Sequence, residues 1–289
     1  MSLKAEMFVD SRCELGEGPF WHPQYQRLFW FDILNQTMLS ATDTGHIVDR
    51  ITFKDTVAAA AVIDADTMAV AQSGALLRYN FSTDSSETIV EIEADKPGNR
   101  TNDSRVHPSG AFWIGTMGRR AEAGAGALYH YRAGKLTQLR SGLAIPNTTC
   151  FSPDGRIGYF CDNGSDIVKC ELDPETGLPI GEWTPFVSGL TNGHADGAVI
   201  DSEGCMWNAR WGAGKVVRFT PDGKLDMEIE VPTGRTSCPA FGGKDMKTLY
   251  ITTAREGMTP EELQRDPIAG SVFAVQLDVA GLPEPAITL

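Results

Sequence analysis

Four acidic or amide side chains stand at the heads of short strand-like runs that are widely separated along the chain. They are Glu17 before GPFW, Asn102 before DSRV, Asn147 before TTCF and Asp196 before GAVI. Polar groups at the start of a buried strand need partners, and carboxylates that meet without a cation repel one another. Oxygen atoms of Glu, Asn and Asp are ligands that hard divalent ions prefer. These residue types therefore indicate a divalent metal site, provided that the fold brings them together.

The same residues also have an ordinary structural explanation, because Asn and Asp commonly cap turns. That explanation is adequate for any one of the four taken alone. It becomes less adequate if all four occupy one register on equivalent strands. The elements that carry them must therefore be identified next.

A turn rich in Pro, Asp and Gly, followed by a short apolar or aromatic strand, recurs six times along the chain. The strands after the turns are predicted to begin near Leu28, Met68, Phe112, Gly158, Met206 and Leu249. Their successive spacings are 40, 44, 46, 48 and 43 residues, which is the length of a four-stranded propeller blade. A sandwich or an open barrel would also be all-β, but neither explains six units of such even length. The sequence predicts an all-β fold, a six-bladed β-propeller.

The repeats cover essentially the whole chain without a linker, so residues 1–289 are predicted to form a single propeller domain. The first and last blades of a propeller must be joined, and the short N-terminal strand at residues 6–9 is a candidate to complete the last blade. Helical periodicity is nearly absent. One helical turn is predicted after Thr259, which has Glu262 three residues later in a capping-box pattern.

The four polar residues form one group only if they occupy equivalent positions on the first strands of their predicted blades. The first strand of each blade lines the central channel of a propeller. Counting back ten or eleven residues from each second strand gives one residue per blade, namely Glu17, Val57, Asn102, Asn147, Asp196 and Cys238. Equivalent register on radially arranged blades predicts similar depth around one axis. Because four of the six carry oxygen ligands, a shared metal site is favoured over independent turn caps.

Composition excludes several classes of partner. The formal net charge is -13, and such a surface repels phosphate backbones and anionic lipid, so we predict no nucleic-acid partner and no membrane binding. No segment has the pattern of a signal peptide or of a membrane span. The six cysteines include no CxxC pair, which is typical of reduced, buried thiols in a cytoplasmic protein.

At the four polar residues the sequence resembles the gluconolactonase/regucalcin family, also called senescence marker protein or sugar lactonase. The segments that carry the resemblance are LGEGPFW, RTNDSRVHPSGAFWIGTM, GLAIPNTTCFSPDG and HADGAVIDSEGCMW. The resemblance continues to KTLYITTAREGM and AGSVFAV near the end of the chain, and it looks closest to the bacterial sugar lactonases.

The resemblance implies a propeller with one divalent cation held by Glu17, Asn147 and Asp196. Thr148 stands where the family usually has the glycine of P-N-G, and Ala195 stands where it has the proline of P-D-G. Both departures retain the ligand itself. An oxygen set of this kind admits calcium, magnesium, manganese, zinc or ferrous iron, so the identity of the metal stays open.

The implied activity is hydrolysis of a sugar-acid lactone, either an aldonolactone or an aldarolactone. Arg100 and Asn102 are implied to contact the substrate, with Asp103 as support. A cation would polarise the ring carbonyl and lower the pKa of bound water, and three protein ligands leave positions for water and substrate. Asp196 is a candidate general base as well as a ligand. Metal contact would lower its basicity, so another base stays possible.

Three further residues are candidate substrate contacts. His194 precedes Asp196 by two residues, and Arg119 and Arg120 begin a Gly- and Ala-rich loop. Two adjacent arginines are commonly part of a solvated loop. Alternatively, at least one guanidinium binds a second carboxylate through a bidentate contact, and the substrate is then an aldarolactone.

Rival catalytic motifs are absent from the sequence, which contains no GxSxG, no HExxH and no GxxxxGK. A calcium-binding regulatory propeller without turnover is one alternative function, and an esterase of the same fold is another. A structural propeller that binds peptides is a third, but it would not need acid and amide residues aligned on its first strands. A lactonase assay with metal added back separates the first alternative from the enzyme.

Overall fold

The computed structural model describes residues 3–164 and 166–289, which form short β-strands and one helix. Two strands precede the first repeat, β1 (Leu3–Lys4) and β2 (Glu6–Val9). The first sheet consists of β3 (Gly16–His22), β4 (Arg27–Asp32), β5 (Thr37–Thr42) and β6 (Ile47–Thr52).

Three sheets follow in the middle of the chain, each with its strands in sequence order. The second sheet consists of β7 (Val57–Val62), β8 (Thr67–Gln72), β9 (Gly74–Asn80) and β10 (Ser85–Ile92). The third consists of β11 (Asn99–Val106), β12 (Phe112–Gly118), β13 (Gly126–Arg132) and β14 (Lys135–Leu143). The fourth consists of β15 (Pro146–Phe151), β16 (Ile157–Asp162), β17 (Ile167–Glu171) and β18 (Thr184–Val187).

The remaining strands complete two more sheets and recruit the N-terminal strands. The fifth sheet consists of β19 (His194–Ile200), β20 (Met206–Trp211), β21 (Lys215–Phe219) and β22 (Leu225–Glu230), with β1 added in parallel beside β22. The sixth consists of β23 (Thr236–Gly242), β24 (Thr248–Thr253) and β25 (Val272–Gln276), with β2 as its fourth strand. Helix α1 (Pro260–Arg265) lies between β24 and β25.

These six sheets are the blades of a six-bladed β-propeller. Every second strand begins within one residue of the position that the sequence predicts. The chain divides into two compact units, of which the first runs through residue 54 and resumes at 189–283. The second unit contains residues 55–188 and 284–289. Each unit holds three of the blades.

The core of each unit lies between neighbouring sheets, where buried aliphatic and aromatic side chains of the strands pack together. In the first unit Trp21 stacks on Tyr250 with ring centroids 5.9 Å apart, and Trp207 packs edge-on against Phe241. In the second unit Trp113 is fully buried and donates its indole N–H to the Gly177 carbonyl at 3.0 Å. These tryptophans therefore pack the blades. All six cysteines are buried as free thiols, as predicted.

Helix α1 is a surface element with the predicted capping box. The Thr259 side chain accepts from the Glu262 N–H at 3.2 Å, and the Glu262 carboxylate accepts from the Thr259 N–H at 2.8 Å. No helix in the described part of the chain is long and apolar enough to cross a membrane.

Acid should destabilise the first sheet through His22, whose ring is fully buried at the end of β3. Its Nδ1 accepts from the Tyr25 N–H at 3.3 Å, and burial lowers the pKa of the ring to about 4. Because the folded state resists protonation and the unfolded state does not, stability is present above pH 6.5 and falls as the pH drops towards 4. When the pH falls from 7.5 to 5, we expect the titration of His22 to lower the free energy of unfolding by about 2 kcal/mol.

Urea denaturation of wild type and His22→Asn at both pH values measures this contribution. The variant keeps an acceptor for the Tyr25 N–H but does not titrate in this range, so its stability should fall less in acid. His46→Asn, at an exposed histidine, is the matched control and should behave as wild type. An equal acid-induced loss in wild type and His22→Asn would contradict the assignment.

Candidate functional site

All six first strands carry the same irregularity, a one-residue bulge against the second strand of their blade. Glu17 and Asn147 are the last residues paired before their bulges, opposite Phe31 and Cys161. Asn102 and Asp196 are the first residues within theirs. The four residues predicted at one depth therefore lie within one position of an equivalent bulge, although two of them are offset by one residue. Bulges commonly re-aim side chains beside active sites.

Thr148, directly after Asn147, lies in the bulge of β15. Thr148 has a φ of 61°, and Gly18, which follows Glu17 at the equivalent position, has a φ of 54°. A β-branched residue in this left-handed region is strained, and such strain is concentrated at functional sites. The departure at Thr148 thus retains the backbone conformation that glycine would adopt.

In the second unit three of the predicted residues form one hydrogen-bonded group. Arg100 donates to the Asn102 Oδ1 at 2.8 Å, and the Asn102 Nδ2 donates to the Asn147 Oδ1 at 2.9 Å and to the Pro146 carbonyl at 2.8 Å. All three side chains are buried. Since a guanidinium can only donate, Arg100 fixes the orientation of the Asn102 amide. The contact to Asn147 leaves one lone pair of its oxygen for a cation.

Asp103, directly after Asn102 on β11, supports the hydrogen-bonded group of Arg100, Asn102 and Asn147. Burial raises the pKa of Asp103 to about 6, against the opposing influence of Arg105 and a hydrogen bond from the Thr149 N–H. That hydrogen bond is 2.7 Å long and joins β11 to the bulge of β15. Asp103 therefore connects the strands that carry Asn102 and Asn147.

In the first unit Glu17 and Asp196 are both buried at the start of their strands. The Glu17 carboxylate accepts from the Gly18 N–H at 2.9 Å, and the hydroxyl of Ser237 donates to the carbonyl of Gly16 at 2.5 Å. Gly197, directly after Asp196, faces the Cys238 thiol so closely that a methyl group there would overlap it. The backbone at both carboxylates is thus fixed by neighbouring strands.

The two arginines of the third blade have different surroundings. Arg119 pairs with Asp55, since its Nη2 donates to both carboxylate oxygens at 2.8 and 2.9 Å, and its Nε donates to the Pro97 carbonyl at 3.1 Å. Arg120 is exposed and forms no ion pair with any residue of the described ranges. Its backbone N–H donates to the Glu122 carboxylate at 3.0 Å. Arg119 is therefore held in an ion pair, whereas the exposed Arg120 is not.

His194 is the first residue of β19 and is exposed, with its backbone paired to Trp211. Sequence reasoning missed two buried residues on the next strand, Asn208 and Arg210. The signal was available, because both interrupt the otherwise apolar strand MWNARW at alternate positions, which places their side chains on one face.

Comparison with known proteins identifies the family to which these residues belong. A model of the SMP-30/Gluconolactonase/LRE-like region matches residues 15–255. The chain belongs to this family. A protein of Rhizobium meliloti named as a sugar lactone lactonase is 39% identical over 97% of this chain and 96% of its own. The L-arabinolactonase of Azospirillum brasilense is 35% identical over 96% of this chain and 94% of its own.

A solved relative shows the same architecture for this SMP-30/gluconolactonase family member. The crystal structure of a calcium-binding protein, regucalcin, from Agrobacterium tumefaciens has a TM-score of 0.96 and 38% sequence identity. The match covers 100% of this chain and 99% of the other. The family resemblance and the propeller fold predicted from the sequence are both confirmed.

The residues implied as ligands in this family fit a hard divalent cation. Glu17 and Asp196 offer carboxylates and Asn147 offers an amide oxygen that Asn102 orients. Within residues 3–164 and 166–289, no group of three or more His, Cys, Asp or Glu side chains is placed to hold a metal. Two carboxylates and an amide make an all-oxygen donor set, which is the chemistry that hard divalent ions prefer.

Proposed function

We propose that the protein hydrolyses a sugar-acid lactone with the aid of one divalent cation held by Glu17, Asn147 and Asp196. The observation that carries the proposal is the buried group in which Arg100 orients Asn102 and Asn102 orients Asn147. Membership of a family with named sugar lactonases supports the reaction class. The metal dependence and the substrate belong to the proposal alone.

The chain's own residues account for binding and proton transfer. The Asn102 Oδ1 accepts a hydrogen bond from Arg100, and its second lone pair would accept from a substrate hydroxyl. Arg100, a residue type that can only donate, would contact oxygen atoms of the sugar. Asp196 accepts a proton from the attacking water as a general base. The water oxygen bonds to the ring carbonyl carbon, the ester C–O bond of the ring breaks, and the leaving oxygen takes the proton back from Asp196 to form the hydroxy acid.

A bound cation would polarise the ring carbonyl and lower the pKa of a water molecule beside it. An all-oxygen donor set favours calcium, magnesium or manganese, although zinc and ferrous iron accept the same ligands. The relative of known structure is described as calcium-binding. Calcium is therefore the first ion to test.

Metal removal followed by addition of single ions tests the proposal. The chelated protein should hydrolyse neither aldonolactones nor aldarolactones, and one or more divalent ions should restore turnover. Full activity after chelation would contradict the metal dependence. Tight calcium binding without turnover of any lactone would instead favour a regulatory calcium-binding propeller, the alternative that the regucalcin relatives support. Turnover of aryl esters alone would favour an esterase.

The preference for a substrate with a second carboxylate is expected to depend on Arg120. Because Arg119 is already paired with Asp55, the exposed Arg120 is the guanidinium available for a second carboxylate. We propose an aldarolactone substrate and expect Arg120→Ala to lower its kcat/KM by roughly 10–100-fold, on the scale of a hydrogen bond to a charged group. The kcat/KM of gluconolactone should be unchanged.

Arg119→Ala is the matched comparison for this prediction. It breaks the contacts to Asp55 and Pro97 that hold the start of the loop, so it should affect both substrates alike. Steady-state kinetics with galactaro- or glucarolactone beside gluconolactone measure both effects. Equal losses on both lactones in Arg120→Ala, or no loss, would show that Arg120 does not bind a carboxylate.

The role of His194 as a substrate contact, the cytoplasmic location and the absence of nucleic-acid and membrane partners stay predictions from the sequence.

A further inference from the structure

Arg210 is a guanidinium buried inside the first unit, only 2% exposed, on β20 opposite Ala195. Three of its hydrogen bonds go to uncharged oxygens. Its Nε donates to the Asn192 carbonyl at 3.2 Å, and its two terminal nitrogens donate to the Gly193 carbonyl at 2.6 Å and the Asn208 Oδ1 at 3.2 Å. Burial of a charge costs free energy, so an apolar residue would serve packing alone better.

Asn208 connects this guanidinium to the strand of Asp196. Asn208 is fully buried, and its Nδ2 donates to the carbonyls of Asp196 at 3.1 Å and Gly197 at 3.3 Å. Because a guanidinium has no acceptor, the Asn208 oxygen must face Arg210 and the Asn208 nitrogen must face the two carbonyls. Arg210 therefore determines which way the amide points.

The carbonyls that Asn208 holds lie in the bulge of β19. Asp196 and Gly197 together oppose the single residue Ala209, so the ladder with β20 is interrupted there. The side-chain amide supplies the donors that the regular ladder does not. It thereby fixes the backbone from which the Asp196 carboxylate projects.

We propose that Asn208, oriented by Arg210, is a positioning residue for Asp196. Arg210 also donates to the carbonyls of Asn192 and Gly193, just before β19. One guanidinium therefore holds both the loop that leads into β19 and, through Asn208, the bulge. This role depends on Asp196 being a metal ligand and so rests on the proposed function. Partners of metal ligands commonly change metal affinity 10–100-fold when they are replaced.

A purely structural cap is the alternative that the experiment must exclude. In the sixth blade the Thr252 hydroxyl donates to the Cys238 carbonyl at 3.1 Å, at the equivalent bulge. That strand carries no proposed ligand. Capping of a bulge carbonyl can therefore serve folding alone, and loss of stability would not distinguish the two roles.

Asn208→Asp separates them because a carboxylate accepts hydrogen bonds but donates none. The new carboxylate pairs with the buried Arg210, which keeps the fold, while the carbonyls of Asp196 and Gly197 lose their donor. We expect a 10–100-fold loss of calcium affinity and a fall in kcat of similar size, with KM and melting temperature little changed. Titration calorimetry with Ca²⁺ alone gives the affinity without any dependence on turnover.

Arg210→Lys provides a second variant that keeps the charge. Lysine lacks the planar fork, so the Asn208 amide is no longer held in one orientation, and calcium affinity should again fall. This variant decides the matter if Asn208→Asp does not fold. Arg218→Lys, at another buried arginine of the same sheet, is the control and should lower stability while leaving affinity and kcat unchanged.

Calcium affinity and kcat that match wild type in both site variants would overturn the positioning role. Failure of the proposed function looks different, because wild type itself would then bind no divalent ion and hydrolyse no lactone. If wild type binds calcium but hydrolyses none of the lactones, the affinities of the variants still decide whether Asn208 positions Asp196.

Discussion

Asp196→Ala is expected to lower kcat for lactone hydrolysis by about 10³-fold or more, because it removes both a metal ligand and the proposed general base. Calcium affinity should fall in parallel. The melting temperature should stay close to that of wild type, since the hydrophobic cluster between the fifth and sixth sheets does not include this side chain. Kinetics, titration calorimetry and thermal unfolding on one preparation measure the three effects.

Two further variants give this experiment its controls. Asp196→Asn keeps a ligand oxygen but loses the charge and the base, so it should retain more calcium affinity than activity. Asp222→Ala changes an exposed turn carboxylate that follows β21 and should behave as wild type. An Asp196→Ala protein that is fully active without metal would contradict both proposed roles of this residue.

Arg218→Ala should reduce the free energy of unfolding by about 3–5 kcal/mol, because it leaves a buried carboxylate without its cation. Arg218 on β21 contacts Asp201 at 2.7 Å, Glu203 at 2.6 Å and Asp226 at 2.5 Å. Asp201 is fully buried and also accepts from the Trp207 indole N–H at 2.9 Å. Urea denaturation at neutral pH measures the loss.

Lys224→Ala is the matched control for this ion-pair network. It breaks an exposed pair with Asp222, in the turn between β21 and β22, and should change the free energy of unfolding very little because solvent screens the pair. Arg218→Ala should leave kcat and calcium affinity unchanged at a temperature where it remains folded. A loss no larger than that of Lys224→Ala would show that water compensates Asp201 as well as the guanidinium does.

The length of the repeat and the residue composition of its turns allowed most of the fold to be predicted from the sequence. The six second strands were located to within one residue because each follows a Pro-, Asp- or Gly-rich turn and begins with β-favouring residues. Alternation and turn composition are local properties, so the amino-acid order records them directly. The same periodicity identified Glu17, Asn102, Asn147 and Asp196 as a set.

The bulges could not be predicted, because an extra residue in a strand changes pairing with another strand and leaves little trace in hydrophobic alternation. They offset Asn102 and Asp196 by one residue from Glu17 and Asn147. Thr148 is an example: its φ is positive, but a β-branched residue in the sequence gives no indication of a positive φ.

The amino-acid order alone was enough to predict the blade repeat, the residue types of the candidate site and the chemistry that they could perform. The partners of these residues depend on the folded backbone: Asn102 hydrogen-bonds Asn147 across 45 residues, and Arg119 pairs with Asp55 across 64. Hydrogen bonds between separate strands depend on which side chains the folded backbone brings within about 3 Å, and no local pattern encodes that distance.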